Sequence, residues 1–385
     1  MIYLDYAAAT PLSQKAKQAM LPYFDEKFFN PSAAYLPAVE TRKEYERAKD
    51  EIGHVIGAKG VDLVITSGAT EANSLVFSSI AEDAEVLISA VEHPSILENA
   101  KRRNWQTINV DQTGRIDIED FKKKLTPKTQ LVSICLASSE LGTIQPLADV
   151  SRLIIAERQR RALAGENTPL YFHSDASQGL GLMEVKVSRL GVDLMTINAA
   201  KVYGPKGIGA LYVGHNVRLK PQNYGGGQEM GIRSGTENVP AAVAFATAIT
   251  EAEIHLNSER KRLSALRDSL RKKLIERLGE DNIIFHGKTK TQLANFLPLS
   301  LPGLDAERLI FALEDKGVYL STGAACAASK GEKSPTLKAI GLNDKEIAGS
   351  LRITLGRPTT EEDIDVAADA IISVVKAEQE RLATK

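Results

Sequence analysis

The stretch Thr196-Ile-Asn-Ala-Ala-Lys201-Val-Tyr-Gly-Pro-Lys-Gly207 decides how this chain is read. It sets a lysine just after the short, mostly apolar run Val192-Asp-Leu-Met-Thr-Ile-Asn198, which has the composition of a buried parallel strand. Upstream, Tyr171-Phe-His-Ser-Asp-Ala-Ser-Gln178 repeats the arrangement, with Asp175 at the carboxyl end of another short strand. Ligands of open α/β sheets bind beyond the carboxyl ends of the strands. The two segments therefore bring an acid and an amine to one edge of one sheet.

An acid and an amine so placed hold the two ends of a flat, electron-withdrawing ring, the carboxylate pairing with a pyridinium nitrogen and the amine condensing with an aldehyde. That ring is pyridoxal 5'-phosphate. Its phosphate needs a cradle, and Thr66-Ser-Gly-Ala-Thr-Glu-Ala-Asn73 supplies one after the apolar run Val61-Asp-Leu-Val-Ile65. Small residues let the backbone close on an anion, while the free N–H groups and positive dipole end of the following helix attract it. Ala69 and Thr70 are the expected contacts.

A length of 385 residues predicts two domains or more, and a hydrophobic content of 43% is ample for a large core. The net charge of −1 gives no reason to expect nucleic acid or a membrane as partner. Two cysteines, Cys135 and Cys326, argue against a disulfide framework and for a reducing compartment. The opening Met-Ile-Tyr-Leu-Asp-Tyr lacks a basic region followed by an apolar core, and no apolar run is read as approaching bilayer length. The cytoplasm is the expected location, and no metal is expected.

Strands and helices alternate through about residue 215, the signature of a mainly parallel sheet covered on both faces. The expected strands are Val61 to Thr66, Val86 to Ala90, Gln130 to Ala137, Leu170 to Ser174, Leu194 to Asn198 and Ile208 to Val213. Val239 to Leu278 is an almost unbroken helical pattern, apolar early and charged later, as suits a helix bridging two domains. A strand at Asn295 to Ser300, a helix from Asp305, a strand ending near Thr322 and a closing helix from Thr360 make a smaller α+β domain. The expected division is residues 15–255 for the large domain and residues 1–14 with 256–385 for the small one.

The chain resembles the cysteine desulfurases, in the aminotransferase class V branch of the pyridoxal-phosphate fold-type I enzymes. The likeness runs nearly end to end, through Tyr3-Leu-Asp-Tyr-Ala-Ala8, Asn30-Pro-Ser32, Thr66 to Asn73, Glu92-His93, Glu140-Leu-Gly142, Asp175 to Gln178, Lys201 to Gly207, Gly225-Gly-Gly-Gln-Glu229, Arg233 to Asn238, Thr322-Gly-Ala-Ala-Cys326 and Arg352 to Thr360. It implies an α/β fold with a mainly parallel, seven-stranded-type sheet and a smaller domain. It further implies conversion of L-cysteine to L-alanine with a persulfide on Cys326, handed to an acceptor such as an iron–sulfur scaffold protein or a tRNA-thiolation pathway.

The resemblance also assigns roles. Lys201 carries the cofactor and moves the substrate proton, His93 stacks on the ring and relays protons as a catalytic residue, and Gln178 meets the ring hydroxyl. A plain reading of His93 is a residue held by backbone contacts where a helix begins. Arg352 receives the substrate carboxylate, a guanidinium forking onto it through two parallel hydrogen bonds. Alternation with Leu351, Ile353 and Leu355 suggests a half-buried strand that turns Arg352 toward a cleft. Cys326 lies in a stretch of small residues that reads as a loop near lysines, where thiolate character is favoured, whereas Cys135 reads as core. Thr236 reaches the neighbouring subunit's phosphate in a homodimer.

Departures from the family pattern are as informative. Ser138 and Ser139 stand where two asparagines are usual, so a shorter hydroxyl faces the substrate. Asn198 and Ala200 replace a serine and a histidine that bind phosphate; Asn198 still donates, Ala200 does not. Met230 replaces an arginine, and Ala34 and Tyr35 occupy the neighbourhood of a missing histidine. Three readings follow: a cysteine desulfurase, a sister lyase acting on selenocysteine or cysteine sulfinate, or a non-catalytic interaction protein on the same scaffold.

Overall fold

The computed structural model describes residues 1–78, 80–323 and 333–384. A seven-stranded sheet runs in the order Leu63–Thr66, Gly209–Val213, Leu194–Asn198, Tyr171–Asp175, Thr129–Ser133, Glu85–Ser89 and Asn104–Ile108. All neighbours are parallel except Gly209–Val213, which is antiparallel to both of its partners. The strands are apolar on both faces because helices cover both. Leu63 and Ile65 belong to the core with Tyr45, Phe172 and Phe245, while Val64 packs on the opposite side with Leu75, Val86 and Leu211.

The strand Asn104–Ile108 is absent from the sequence reading. It is an edge strand, alternately exposed and half-buried until Ile108, and it follows a run of charged residues at 101–103. A strand with one covered face and one neighbour needs little of the apolar content that marks the central ones. Thr129–Ser133 likewise stops earlier than the expected Ala137, so residues 134–137 form the lip of the sheet rather than its body.

A second sheet is antiparallel, in the order Ser321–Thr322, Ser350–Thr354, Phe296–Ser300 and Ile284–Phe285. Helices Ala306–Glu314 and Glu361–Ala383 complete this smaller unit, whose core includes Leu270, Leu299, Leu309, Ile353 and Ile371. Asp305 and Thr360 cap the two helices with their side-chain oxygens, which is why both begin where the sequence says.

Helix Val239–Leu278 serves both units. Ala241, Phe245 and Ile249 lie in the large core, and Leu263, Leu270 and Leu274 in the small one. Its apolar part is long and apolar enough to cross a membrane, contrary to the expectation that no run approaches bilayer length. The apolarity has a local cause: alanines and Phe245 pack this helix against helices Gln14–Met20 and Leu36–Ile56.

The segment from Ile2 to Thr10 stitches the two units together. Ile2–Tyr3 pairs in parallel with Val318–Tyr319, and Asp5 bridges to Thr354. Thr10 then turns to the large sheet, its N–H and hydroxyl donating to the Ala200 carbonyl at 3.0 and 3.1 Å.

Candidate active site

Four strand ends and two helix starts build the site. Asp175 closes its strand, its Oδ1 accepting from the Ser177 N–H and its Oδ2 from Asn73 Nδ2, each at 2.9 Å. Asn73 comes from helix Ala69–Phe77, so the helix that starts at the cradle also fixes the acid. One strand over, Asn198 caps a single turn of 3₁₀ helix, Ala199–Lys201, by accepting from the Ala200 N–H at 3.1 Å. That turn projects Lys201, whose Nζ donates to the carbonyls of Ala7 at 2.7 Å and Ala8 at 2.6 Å. Gln178 Nε2 donates to the same Ala7 carbonyl at 3.0 Å.

The cradle depends on two glycines. Gly68 precedes the helix with φ of 146°, a region that side chains rarely adopt. A Cβ on Gly209 would stand 2.7 Å from the Ile197 carbonyl and 2.9 Å from Gly68 Cα, so the strand can pass beneath the turn only as glycine. Ala69 and Thr70 follow, at the start of the helix, where N–H groups lack intrahelical partners.

His93 caps helix Pro94–Ala100, its Nδ1 accepting from the Ser95 N–H at 3.1 Å, which leaves the ring proton on Nε2. Burial holds its pKa below the ordinary value, opposed by Asp175 and helped by Lys201. The capping role and a position in the site wall are thus both real. Next to it, Glu92 turns its carboxyl inward: Oε1 accepts from Ser89 Oγ at 2.5 Å and from the Cys135 N–H at 2.7 Å, and buried Oε2 has no partner.

One cavity of about 140 Å³ gathers these groups. Ala69, Thr70, His93, Ser139, Asp175, Gln178, Asn198 and Lys201 all line it, as do Val91, Cys135, Ala137 and Ser177. Cys135 is core, as its sequence context indicates, in a cluster with Val91, Leu141 and Leu337. It is buried, and burial pushes its thiol well up, yet it is also a wall of the cavity because its strand ends two residues earlier.

Arg352 is placed differently from the expectation. Strand Ser350–Thr354 is buried along its whole length rather than on one face: Leu351 and Ile353 lie in the small core, and Arg352 is held by Ser139 and Asp5. Arg352 is 6% exposed and does not line the cavity. Nη1 donates to the Ser139 carbonyl at 3.0 Å and Nη2 pairs with Asp5 Oδ1 at 2.7 Å, while Nε has no partner. Arg357 stacks on the Tyr203 ring at 4.3 Å and pairs with Glu251 at 3.1 Å, a structural role. Thr236 is exposed on the loop before helix Val239–Leu278 and does not line this cavity. Cys326 lies outside the described residues. Among the described residues, no cluster of His, Cys, Asp and Glu has the makings of a metal site.

The residues present fit pyridoxal 5'-phosphate by their own chemistry: a fixed carboxylate, an amine, a neutral imidazole and a glycine-led helix start share one cavity. Ser177 Oγ, buried there without a partner, adds an unspent polar group. Sequence reasoning gave no role to Asp5, Ala7 or Ala8. Their motif, Tyr3-Leu-Asp-Tyr-Ala-Ala8, was visible, but its partners are distant in the chain.

The comparisons agree with this geometry. Residues 2–366 match the aminotransferase class-V family model, and the chain belongs to that family, in its cysteine desulfurase branch. The cysteine desulfurase IscS of Dictyoglomus turgidum is 36% identical over 97% of this chain and 94% of its own. Among solved structures, a NifS-like protein superposes with a TM-score of 0.88 at 29% identity, covering 98% of this chain and 99% of that one. A structure of SspA in complex with cysteine gives 0.78 at 27% identity, covering 92% and 99%.

Proposed function

We propose that the protein is a pyridoxal-phosphate-dependent cysteine desulfurase, which converts L-cysteine to L-alanine and places the sulfur on Cys326 as a persulfide for an acceptor protein such as an iron–sulfur scaffold. The observation that carries this reading is the single cavity walled by Lys201, Asp175 and the helix start at Ala69 and Thr70. Family membership and a relative holding cysteine support the substrate.

When bound, pyridoxal phosphate supplies the electron sink for carbanion chemistry. Asp175 would hold the ring nitrogen, oriented by Asn73 and the Ser177 N–H. Ala69, Thr70 and Asn198 would hold the phosphate. Lys201 would take and return the proton at the substrate Cα, and His93, kept neutral by burial, would form a wall against the ring. Arg352 would anchor the substrate carboxylate beside Ser139. Cys326 then attacks the substrate sulfur: one C–S bond breaks, one S–S bond forms, and the carbon left behind takes a proton to become alanine. We also propose a cytoplasmic homodimer. The exposure of Phe28, Tyr35 and Leu36, with the Phe28 and Phe29 rings stacked 4.7 Å apart, supports an apolar contact with a second copy.

The test is a set of three proteins reconstituted with cofactor and given L-cysteine. The wild type yields equal alanine and sulfur; Lys201→Ala loses the visible absorbance of the bound cofactor; Cys326→Ser keeps the absorbance and loses alanine formation. Wild-type protein that is colourless, or that consumes selenocysteine or cysteine sulfinate but not cysteine, sinks this reading. The hydroxyl of Ser139 in the cavity, where the family pattern has an amide, is the feature that favours the sister lyases.

A further inference from the structure

Arg352 is already occupied. A guanidinium presents five donors in a fixed fork, and a carboxylate clasps two of them side by side. Here both terminal nitrogens hold acceptors, the Ser139 carbonyl on Nη1 and Asp5 on Nη2, and Nε faces neither an acceptor nor solvent. Each terminal nitrogen keeps a second N–H, but Arg352 is 6% exposed and lies off the cavity, so an incoming carboxylate reaches it only where one of these two groups moves aside. Ser139 offers a neutral carbonyl built into the chain where residue 139 lines the cavity, and its pull on Arg352 carries no charge. Asp5 carries the same charge as the newcomer, so the two carboxylates repel each other over one guanidinium. Glu140 also feels Arg352, but burial holds its carboxyl above the usual range and Ser334 Oγ binds its Oε2 at 2.5 Å. Asp5 is the group that yields.

We propose that Asp5 is a specificity-determining gate on Arg352, and that capture of an amino acid exchanges its α-carboxylate for that of Asp5. While no substrate is present, Asp5 neutralises the charge of Arg352, a buried side chain that would be costly alone. The exchange also reaches the catalytic amine. Asp5 belongs to the same short segment as Ala7 and Ala8, whose carbonyls hold Lys201 Nζ. Moving Asp5 off Arg352 loosens that hold at the moment a substrate arrives. This inference rests on the assignment of Arg352 to the substrate carboxylate.

The test uses the cofactor-loaded enzyme with L-cysteine as substrate and propionate, which carries only the carboxylate, as competitive inhibitor. Asp5→Asn keeps an acceptor for Nη2 and removes the charge. It should lower both the KM for L-cysteine and the inhibition constant of propionate about three- to tenfold, with kcat moving less than KM, and Asp5→Glu should restore wild-type values. A role in stability alone would lower the melting temperature and leave both constants where they were; a role in aiming Arg352 would raise both. Either result overturns the gate. Arg352→Gln separates the two layers. If it raises both constants while Asp5→Asn does not lower them, the gate alone falls; if it changes neither constant, the carboxylate assignment and the gate fall together.

Discussion

Glu92 keeps its carboxyl shut off from solvent one residue ahead of His93, and the burial, with a smaller push from Asp175, raises its pKa to about 8. Its reference value is 4.5. Between the two, the folded chain holds a proton that the unfolded chain has released, so the stability present below pH 4.5 is lost as pH rises toward 8. A shift of this size corresponds to at most about 4 to 5 kcal/mol. Glu92→Gln imitates the protonated form and keeps an acceptor for Ser89 and Cys135. It should gain stability over the wild type as pH rises from 5 to 8, read as a widening gap in urea midpoints; a gap that stays constant across that range would show that Glu92 does not titrate there. At this scale the site was legible where its chemistry lies within contiguous motifs, as for Lys201, Asp175, His93 and Ala69. It was illegible where a partner lies far off. Asp5 and Arg352 are 347 positions apart, and no local pattern announces their pairing.

The glycine-rich loop before helix Val239–Leu278 shows how an element is pinned by one side chain. Glu229 accepts from Lys49 at 3.1 Å, from the Ile65 N–H at 2.9 Å and from the Tyr45 hydroxyl, and the side chains of Lys49 and Glu229 are only 6% and 5% exposed. Glu229 and Met230 both have positive φ, 46° and 59°, a conformation costly for residues with side chains. The buried carboxylate offsets that cost by tying the loop to helix Leu36–Ile56 and strand Leu63–Thr66. Glu229→Ala leaves Lys49 buried and unpaired and should cost about 3 to 5 kcal/mol, measured by urea unfolding, with part recovered in the double variant with Lys49→Ala. A loss below about 1 kcal/mol would put the pair in the class of solvent-screened surface bridges. Elements were legible in proportion to how much apolar surface they hide. Leu194–Asn198 and Val239–Leu278 have the bounds that their composition indicates, whereas Asn104–Ile108, with one open face, gave no signal.

For the whole molecule, two cores share one long helix, and the cavity opens on the large sheet while Arg352 stands in the small one. Thr236 lies exposed on the pinned loop, apart from its own chain's cavity. The homodimer proposal gives it a purpose, binding the phosphate in a second copy and offsetting the ligand missing at Ala200. Light scattering should then report a dimer, and Thr236→Ala should weaken cofactor retention by roughly tenfold, as loss of one hydrogen bond to a charged group implies. A fully active monomer would rule this out. The broad architecture was legible because alternating strands and helices leave few ways to cover a parallel sheet. The path of residues 2–10 across both units was not, since it is set by pairings with residues 318–354 and 200.

That path has a consequence for how the molecule is made. Residues 2–10 leave the ribosome long before their partners at Val318, Arg352 and Thr354. The large sheet needs nothing beyond Val213 for its strands and can assemble on the nascent chain while its leading segment waits unpaired. A ribosome halted before residue 352 would hold a chain with Lys201, Asp175 and the helix start at Ala69, but with no clasp across them. The site is thus armed only when a strand made long after its other walls has arrived.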